Sequence, residues 1–125
     1  MIVTRKDDAI QVVRMLMERG WHIAFAESCT AGLCAARLVD VPDASRVLDV
    51  SFVTYAESAK TEYLAVPPET IAQYGVVSEE VAAAMARGCA ARVGCEVAVG
   101  VTGFAGPSGG TDKAPVGTVC FGFSI

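Results

Sequence analysis

The 125-residue chain is poor in histidine and in clustered charge. Its only histidine is His22, and its five cysteines form no CxxC pair, so the ligand spacing of a zinc site is missing. Its ten lysines and arginines are scattered, and the net charge is −4. This balance argues against nucleic acid as the main partner. We therefore predict no metal site and no nucleic-acid partner, and we also expect no cofactor.

Long hydrophobic runs are absent as well. The longest apolar stretch, residues 97–105, contains glycines and Thr102 and is too short to span a bilayer. Residues 1–8 include no apolar segment of the kind that forms a secretory signal. The odd number of cysteines, several in apolar surroundings, is typical of a reducing compartment. We expect a cytoplasmic protein that does not associate with membranes.

What the chain does have is apolar sequence arranged as alternating helices and strands. Apolar residues make up 53% and charged residues 19%, which predicts one compact domain over residues 1–125. This pattern predicts an α/β fold, layered around a mainly parallel or mixed sheet. Helices are predicted at 7–19, 28–39, 57–64, from Pro68 and at 78–93, and strands at 21–26, 50–55, 96–102 and 116–123.

Two of these helices allow a prediction about packing. Leu33, Ala36 and Val39 fall on one face of the second helix. In helix 78–93, Ser78 is the expected cap and Gly94 the expected end, and the buried stripe is predicted to contain Val81, Met85 and Cys89. No helix follows the last strand in the sequence, so we expect a partner chain or further residues to cover one face of that strand.

The segment Glu27-Ser28-Cys29-Thr30 is the most informative part of the sequence. It places two hydroxyls and a thiol directly after a short apolar run and before a helical pattern. A strand that ends in small polar residues and leads into a helix presents free backbone N–H groups beside side-chain nucleophiles. This arrangement suits acyl transfer or anion binding. Serine and threonine are also the commonest helix caps, and the segment alone does not exclude that role.

A serine nucleophile needs a neighbour that removes its proton. His22 begins the predicted strand and is expected at its far end, so the candidate base is Lys60, if burial favours its neutral form. Tyr55 could relay the proton or donate to an oxyanion. In the alternative interpretation, Lys60 is a solvated helix lysine and Tyr55 a half-buried sheet residue, which spacing alone favours. Cys29 is a rival nucleophile, but burial as a small apolar residue is its expected role.

A glycine-rich loop spans residues 102–111. Its glycines are Gly103, Gly106, Gly109 and Gly110, and Thr102 and Thr111 stand at its ends. It lacks the lysine of a Walker P-loop, so hydrolysis of a nucleoside triphosphate is not implied. Its backbone can approach a ligand closely and can cradle a phosphate. A long ordered turn between strands is an equally good interpretation.

Several motifs together resemble the C-terminal domain of the competence/damage-inducible protein CinA, a family that includes stand-alone nicotinamide-nucleotide amidases. The resemblance covers nearly the whole chain from about residue 5. It implies a three-layer α/β/α sandwich, commonly a homo-oligomer. It also implies metal-independent hydrolysis of nicotinamide mononucleotide to nicotinate mononucleotide and ammonia. The motifs are Ala26-Glu27-Ser28-Cys29-Thr30, Val41-Pro42, Tyr55 with Lys60, Gly75-Val76-Val77-Ser78, residues 101–107 and residues 115–119.

The same resemblance assigns roles to residues. Ser28 matches the family's proposed nucleophile, and Tyr55 and Lys60 match its activating partners. The resemblance implies that the loop 102–111 shapes the pocket and holds the substrate phosphate. The residues expected to contact the pyridine mononucleotide substrate are Glu27, Cys29, Thr30, Thr102, Gly103, Gly106, Gly109, Gly110 and Thr111.

The chain also departs from the family pattern. Ala31 replaces a usual glycine, Ser51 and Phe52 fill positions that are usually glycine, and Glu57 replaces a usual asparagine. A carboxylate at residue 57 would repel a nearby phosphate. The family's last helix, which carries an arginine often linked to the site, lies beyond Ile125. The alternative function is therefore a catalytically silent or substrate-shifted module that binds a small molecule, and a thiol enzyme based on Cys29 ranks third.

Overall fold

A computed structural model describes residues 5–125. Residues 1–4, part of the segment in which no secretory signal was found, lie outside the described residues. The elements in chain order are α1 (Arg5–Arg19), β1 (Ile23–Glu27), α2 (Leu33–Val39), a 3-10 turn (Ala44–Arg46), β2 (Phe52–Val53), α3 (Glu57–Leu64), α4 (Pro68–Tyr74), α5 (Glu79–Val93), β3 (Val97–Gly103) and β4 (Val119–Ser124).

The four strands form one mixed sheet in the order β2-β1-β3-β4. Strand β1 is parallel to both β2 and β3, while β4 runs antiparallel to β3. The carboxyl ends of the three parallel strands therefore meet at one edge, where open α/β sheets place their ligands. His22 lies at the opposite end of β1, and its Nδ1 is 2.7 Å from the Asp49 carboxylate. The mixed α/β sheet predicted from the sequence is confirmed.

Side chains alternate along the strands and build a core on each face of the sheet. Ile23 and Phe25 belong to the cluster that includes residues of α1 and α2. Ala24 and Ala26 belong to the cluster with Met85 on α5. Helices thus cover both faces, which gives the three layers that the resemblance implies.

Helix α5 packs closely on the sheet because small residues meet at the contact. A Cβ added at Gly122 would lie 2.4 Å from the backbone of Ala82, and one at Gly100 would lie 2.2 Å from the Ala82 carbonyl oxygen. The predicted buried stripe of this helix is confirmed, since Val81, Met85 and Cys89 have no exposed surface. Its predicted cap and end are also confirmed: the Ser78 hydroxyl accepts the Val81 amide, and Gly94 ends the helix with a φ of 74°.

The prediction for the start of the second helix was wrong. The helix begins at Leu33 rather than Ser28, because Ala31 and Gly32 have φ values of 50° and 97°, which a right-handed helix cannot contain. The face with Leu33 and Val39 is also exposed, by 50% and 60% respectively, and Leu38 is the residue of α2 that enters the core.

Each predicted strand is present, but β2 and β4 are shorter than predicted. Strand β2 forms only at Phe52–Val53, within the predicted 50–55. Strand β4 begins at Val119 rather than at residue 116. One face of β4 packs on α5, and the other leaves Phe121 and Phe123 exposed by 51% and 65%. Within residues 5–125, no helix combines the length and apolar character that a membrane crossing requires.

Candidate active site

Ser28 lies in a tight turn at the end of the central strand β1. Its amide donates to the Val101 carbonyl at 3.0 Å, and its own carbonyl accepts the Ala31 amide at 3.0 Å. These bonds tie the residue to β3 on one side and close the turn on the other. The side chain is mostly buried and faces a cleft at the carboxyl edge of the sheet. The backbone thus fixes the position of the hydroxyl.

Glu27 holds this turn against helix α2. Its buried carboxylate accepts hydrogen bonds from the Thr30 hydroxyl at 2.5 Å, the Cys34 amide at 3.0 Å and the Ala35 amide at 3.1 Å. Gly32 has no side chain to cap α2, so the carboxylate satisfies its first amides instead. Burial alone would raise the pKa of Glu27, but these hydrogen bonds outweigh it and lower the pKa.

Lys60 extends from α3 and is 1% exposed. Its Nζ lies 3.0 Å from the Ser28 Oγ, 2.7 Å from the Thr54 carbonyl oxygen and 3.3 Å from the Tyr55 carbonyl oxygen. Burial lowers the pKa of Lys60, although the charges of Glu57 and Cys29 oppose the change. In the neutral amine, two N–H groups can serve the two carbonyls while the lone pair accepts the Ser28 proton.

A cleft of about 200 Å³ opens beside this pair. Tyr55 lines it with a side chain that is 68% exposed, and among the described residues its hydroxyl makes no hydrogen bond. Thr102 lines it too, but its hydroxyl donates to the Val76 carbonyl at 2.9 Å. The lining residues are Ser28, Cys29, Tyr55, Glu57, Lys60, Val76, Val77, Thr102, Gly103, Phe104 and Ala105.

Cys29 lines the cleft but is poorly suited to act as a thiolate. Burial raises the pKa of its thiol, against the opposing effect of nearby backbone amides and of Lys60. Its Sγ fits against Gly103, where an added Cβ would lie only 2.8 Å away. Within residues 5–125, no group of three or more histidine, cysteine, aspartate or glutamate side chains has the arrangement of a metal site. The cleft therefore presents Ser28 as its best-supported nucleophile.

The glycine-rich loop contributes to the cleft only through its first residues. Gly103 lines the cleft, whereas Gly106, Gly109 and Gly110 are not among the lining residues. Gly106 and Gly110 instead allow the loop to close on Val116, with positive φ values at both positions. Glu27 and Thr30, which bond to each other, also lie outside the lining. The structure therefore does not bring these predicted substrate contacts to the cleft.

A second cavity of about 430 Å³ lies next to the cleft and shares Val76, Val77 and Phe104 with it. Thr111 lines this second cavity, and its amide and hydroxyl close a turn with Ala114. Lys113 lines it as well. Sequence reasoning did not single out Lys113, because a lysine in a loop has no distinctive pattern. The far end of the glycine-rich loop thus faces this neighbouring cavity.

Comparison with known proteins gives a consistent result. The CinA C-terminal domain family matches residues 6–125. A CinA-like protein of Chlorobaculum tepidum is 51% identical over 113 residues, which are 90% of this chain and 27% of that protein. A CinA-like protein of Mycobacterium marinum is 54% identical over 110 residues, which are 88% of this chain and 25% of that protein. The chain thus spans about a quarter of the length of these curated relatives.

Solved structures resemble this chain over nearly its whole length. A competence-damaged protein (CinA) superfamily protein from Escherichia coli has a TM-score of 0.92 and 34% identity, covering 100% of this chain and 74% of its own. A competence/damage inducible protein from Agrobacterium tumefaciens has a TM-score of 0.90 and 37% identity, covering 98% of this chain and 75% of its own.

Proposed function

This chain belongs to the CinA C-terminal domain family, and from that membership and its site geometry we propose that it is an amidohydrolase. The proposed reaction converts nicotinamide mononucleotide and water to nicotinate mononucleotide and ammonia, without a metal. The observation that carries the proposal is the buried Lys60 Nζ, 3.0 Å from the Ser28 hydroxyl oxygen. A buried amine beside a serine hydroxyl matches the arrangement of a nucleophile and its base.

In the first half of the reaction, the Ser28 Oγ attacks the carboxamide carbon while its proton passes to the neutral amine of Lys60. The tetrahedral intermediate collapses when the carbon–nitrogen bond breaks. Lys60 returns the proton to the departing nitrogen, and ammonia leaves. The product of this half is an ester between Ser28 and the nicotinoyl group.

In the second half, water attacks the ester carbon and gives its proton to Lys60. The bond between the carbon and the Ser28 oxygen breaks, the serine regains its proton from Lys60, and the nicotinate carboxylic acid ionises in water. Lys60 thus serves as base and then acid in each half. Burial lowers its pKa, which makes the required neutral form more accessible than it is in a solvated lysine.

Backbone amides beside Ser28 are the candidate oxyanion donors. Among the described residues, the Cys29 and Thr30 amides donate to no backbone carbonyl, and both lie close enough to the Cys29 thiol to lower its pKa. Amides that are fixed before the substrate arrives stabilise a developing negative charge without reorganisation. Tyr55 is a further candidate donor, and it would have to turn its exposed side chain toward the reacting carbon.

The second cavity is the candidate site for the ribose phosphate. It continues from the cleft past Phe104, and it is large enough to take the part of a mononucleotide that the 200 Å³ cleft leaves outside. Lys113 supplies a cation there, while Glu80 in the same lining and Glu57 in the cleft carry opposing charges.

The homo-oligomer that the resemblance implies remains a prediction that sedimentation analysis of the purified chain can test.

The direct test is ammonia release from nicotinamide mononucleotide by the wild type and by Ser28→Ala. Loss of activity is expected in Ser28→Ala, with wild-type activity in the matched control Ser58→Ala on the exposed face of α3. Lys113→Gln should raise KM for the nucleotide, whereas Arg92→Gln on exposed α5 surface should not. Absence of ammonia at high protein concentration, or full activity in Ser28→Ala, would exclude the proposal.

A second candidate function rests on Glu57. Its carboxylate lines the cleft where the family pattern has asparagine, which favours a binding module that is silent or acts on a less anionic amide. This candidate predicts that the wild type binds nicotinamide mononucleotide weakly and releases no ammonia. Glu57→Asn combined with Ser51→Gly and Phe52→Gly should then restore turnover. A triple variant that is folded and still inert would point to a different substrate.

A further inference from the structure

Thr54 is a buried residue whose hydroxyl has no partner among residues 5–125. Its amide donates to the Glu27 carbonyl at 2.9 Å, and its carbonyl accepts the Lys60 Nζ at 2.7 Å. Its hydroxyl is buried and makes no hydrogen bond to any described residue. Buried hydroxyls are almost always paired, so this one requires an explanation. A valine would have filled the same space without leaving a polar group unsatisfied.

The position of Thr54 connects it to the reacting pair. It follows β2 directly, at the sheet edge where Ser28 follows β1. Side chains two residues apart along an extended chain point to the same face. Phe52 packs into the core on the α5 face, which is also the face where α3 packs. The Thr54 hydroxyl therefore lies on the face from which α3 delivers Lys60.

The proposed reaction changes the number of hydrogen-bond acceptors that Lys60 requires. A neutral amine has two N–H groups, and the carbonyls of Thr54 and Tyr55 accept both. Once Lys60 takes the proton of Ser28, it has three N–H groups, while the serine oxygen is bonded to the carbon of the tetrahedral intermediate and accepts weakly. The third N–H then lacks a good acceptor within the described contacts of Lys60. The unpaired Thr54 hydroxyl can supply one with a small movement of the flexible lysine side chain.

We propose that Thr54 is a positioning residue whose hydroxyl accepts a hydrogen bond from Lys60 when the lysine is protonated. The proposal rests on the proposed Ser28–Lys60 mechanism and adds a residue that does not touch the substrate. On this proposal, the hydroxyl lacks a partner among the described residues because its partner, the ammonium form of Lys60, arises during the reaction. It holds the ammonium group in place to return the proton to the leaving nitrogen.

Other groups around Lys60 do not change when this hydroxyl is removed. The titratable side chains that face Lys60 are Glu57 on its own helix, Cys29 after β1 and Tyr55 before α3. Thr54→Val keeps the shape and alters none of these three. A change in the titration of Lys60 in this variant therefore reports the lost hydroxyl. Because an acceptor favours the charged form, its removal should lower the pKa of Lys60.

The test compares Thr54→Val with Thr54→Ser, which keeps the hydroxyl. In Thr54→Val we expect kcat to fall about tenfold with little change in KM, and the acid limb of the kcat profile to move to lower pH. Thr54→Ser should retain the wild-type kcat and the wild-type position of the acid limb. Thr54→Ala provides a second hydroxyl-free variant if the valine variant fails to fold. An unchanged kcat and acid limb in the folded hydroxyl-free variants would overturn the proposal.

A titration that needs no activity separates this proposal from the proposed function. Lysine labelled with ¹³C at Cε reports the pKa of Lys60 by nuclear magnetic resonance, and Lys60→Met identifies its signal. If the wild type releases no ammonia, the proposed function fails, and a lowered Lys60 pKa in Thr54→Val still shows that the hydroxyl contacts the amine. An identical titration curve in wild type and Thr54→Val shows that Thr54 is a structural residue only.

Discussion

The Leu64 carbonyl oxygen lies 1.7 Å from the point where a Cβ at Gly88 would stand. The end of helix α3 therefore contacts the backbone of α5 directly, because Gly88 has only a hydrogen atom in place of a side chain. Lys60 lies one turn before Leu64 on the same helix. The distance between Lys60 and Ser28 thus depends on how closely these two helices approach.

Gly88→Ala should destabilise the protein by about 1–3 kcal/mol, because the new methyl group must push α3 away. The expected loss of stability is informative, because alanine in place of glycine inside a helix ordinarily stabilises a protein by about 0.5–1 kcal/mol. Activity should fall as well, because Lys60 moves with α3. Urea unfolding measures the first effect and ammonia release the second. Arg87→Ala, on the exposed neighbouring residue, is the control. A more stable Gly88→Ala variant would contradict the close contact.

Glu27→Gln should lower the free energy of unfolding by about 1–2 kcal/mol at neutral pH, because a carboxylate accepts the Thr30, Cys34 and Ala35 hydrogen bonds better than an amide does. The folded pKa of Glu27 lies below its unfolded value, so its contribution is complete above the unfolded pKa and is lost as pH falls through the folded pKa. The difference between wild type and variant should therefore shrink in acid.

Urea unfolding at about pH 7 and about pH 3.5 measures this difference. Glu69→Gln is the control, because Glu69 lies in the first turn of helix α4 but is exposed. Its effect should stay below about 0.5 kcal/mol. Equal losses in the two variants, or a loss that is independent of pH, would show that Glu27 does not hold the turn in its ionised form.

Lys60→Met should remove a pH dependence from the stability. The folded pKa of Lys60 is lowered by burial, so the unfolded chain binds the extra proton between the folded and unfolded pKa values. The wild type should gain stability relative to Lys60→Met as pH rises through this window, up to about 10.4, the ordinary lysine value. Paired unfolding curves between neutral and alkaline pH measure the difference, and a constant difference would contradict the lowered pKa.

Glu57→Gln should shift the acid limb of kcat/KM to lower pH, because the Glu57 charge raises the pKa of Lys60. The KM for an anionic nucleotide should also fall, by about two- to fivefold, when the negative charge is removed from the cleft. Glu62→Gln on the same helix, which does not line the cleft, should change neither quantity. The pH profile of ammonia release gives both values, and identical profiles for the two variants would show that Glu57 does not act on the site.

Much of the fold could be predicted from the sequence, because periodicity and helix-end residues determine it locally. Helix α5 is the clearest case: its cap, its end and its buried stripe all follow from residue types at fixed spacing. The prediction for helix α2 failed because a carboxylate on the preceding strand sets the start of this helix. That carboxylate belongs to a residue seven and eight positions before the amides whose hydrogen bonds it accepts. No local pattern reveals such a contact.

The candidate site was predictable only in part for a similar reason. Parallel strands bring Ser28 and the residues after β2 to one edge, so their proximity to Lys60 could be expected. The roles of Glu27 and Thr54 depend on which side chains face each other across elements. The glycines at 106, 109 and 110 looked like ligand contacts, yet they shape the loop against Val116 and Phe104. A glycine that shapes a loop and a glycine that contacts a ligand look the same in the sequence.

The turn that Glu27 holds has a consequence for how binding energy is used. Because its carboxylate fixes the turn through bonds within the protein, no substrate contact is needed to order Ser28, the proposed nucleophile. A site that is preorganised in this way avoids the entropy loss of ordering it when substrate binds. The free energy of contacts with the rest of the substrate then remains available to stabilise the transition state.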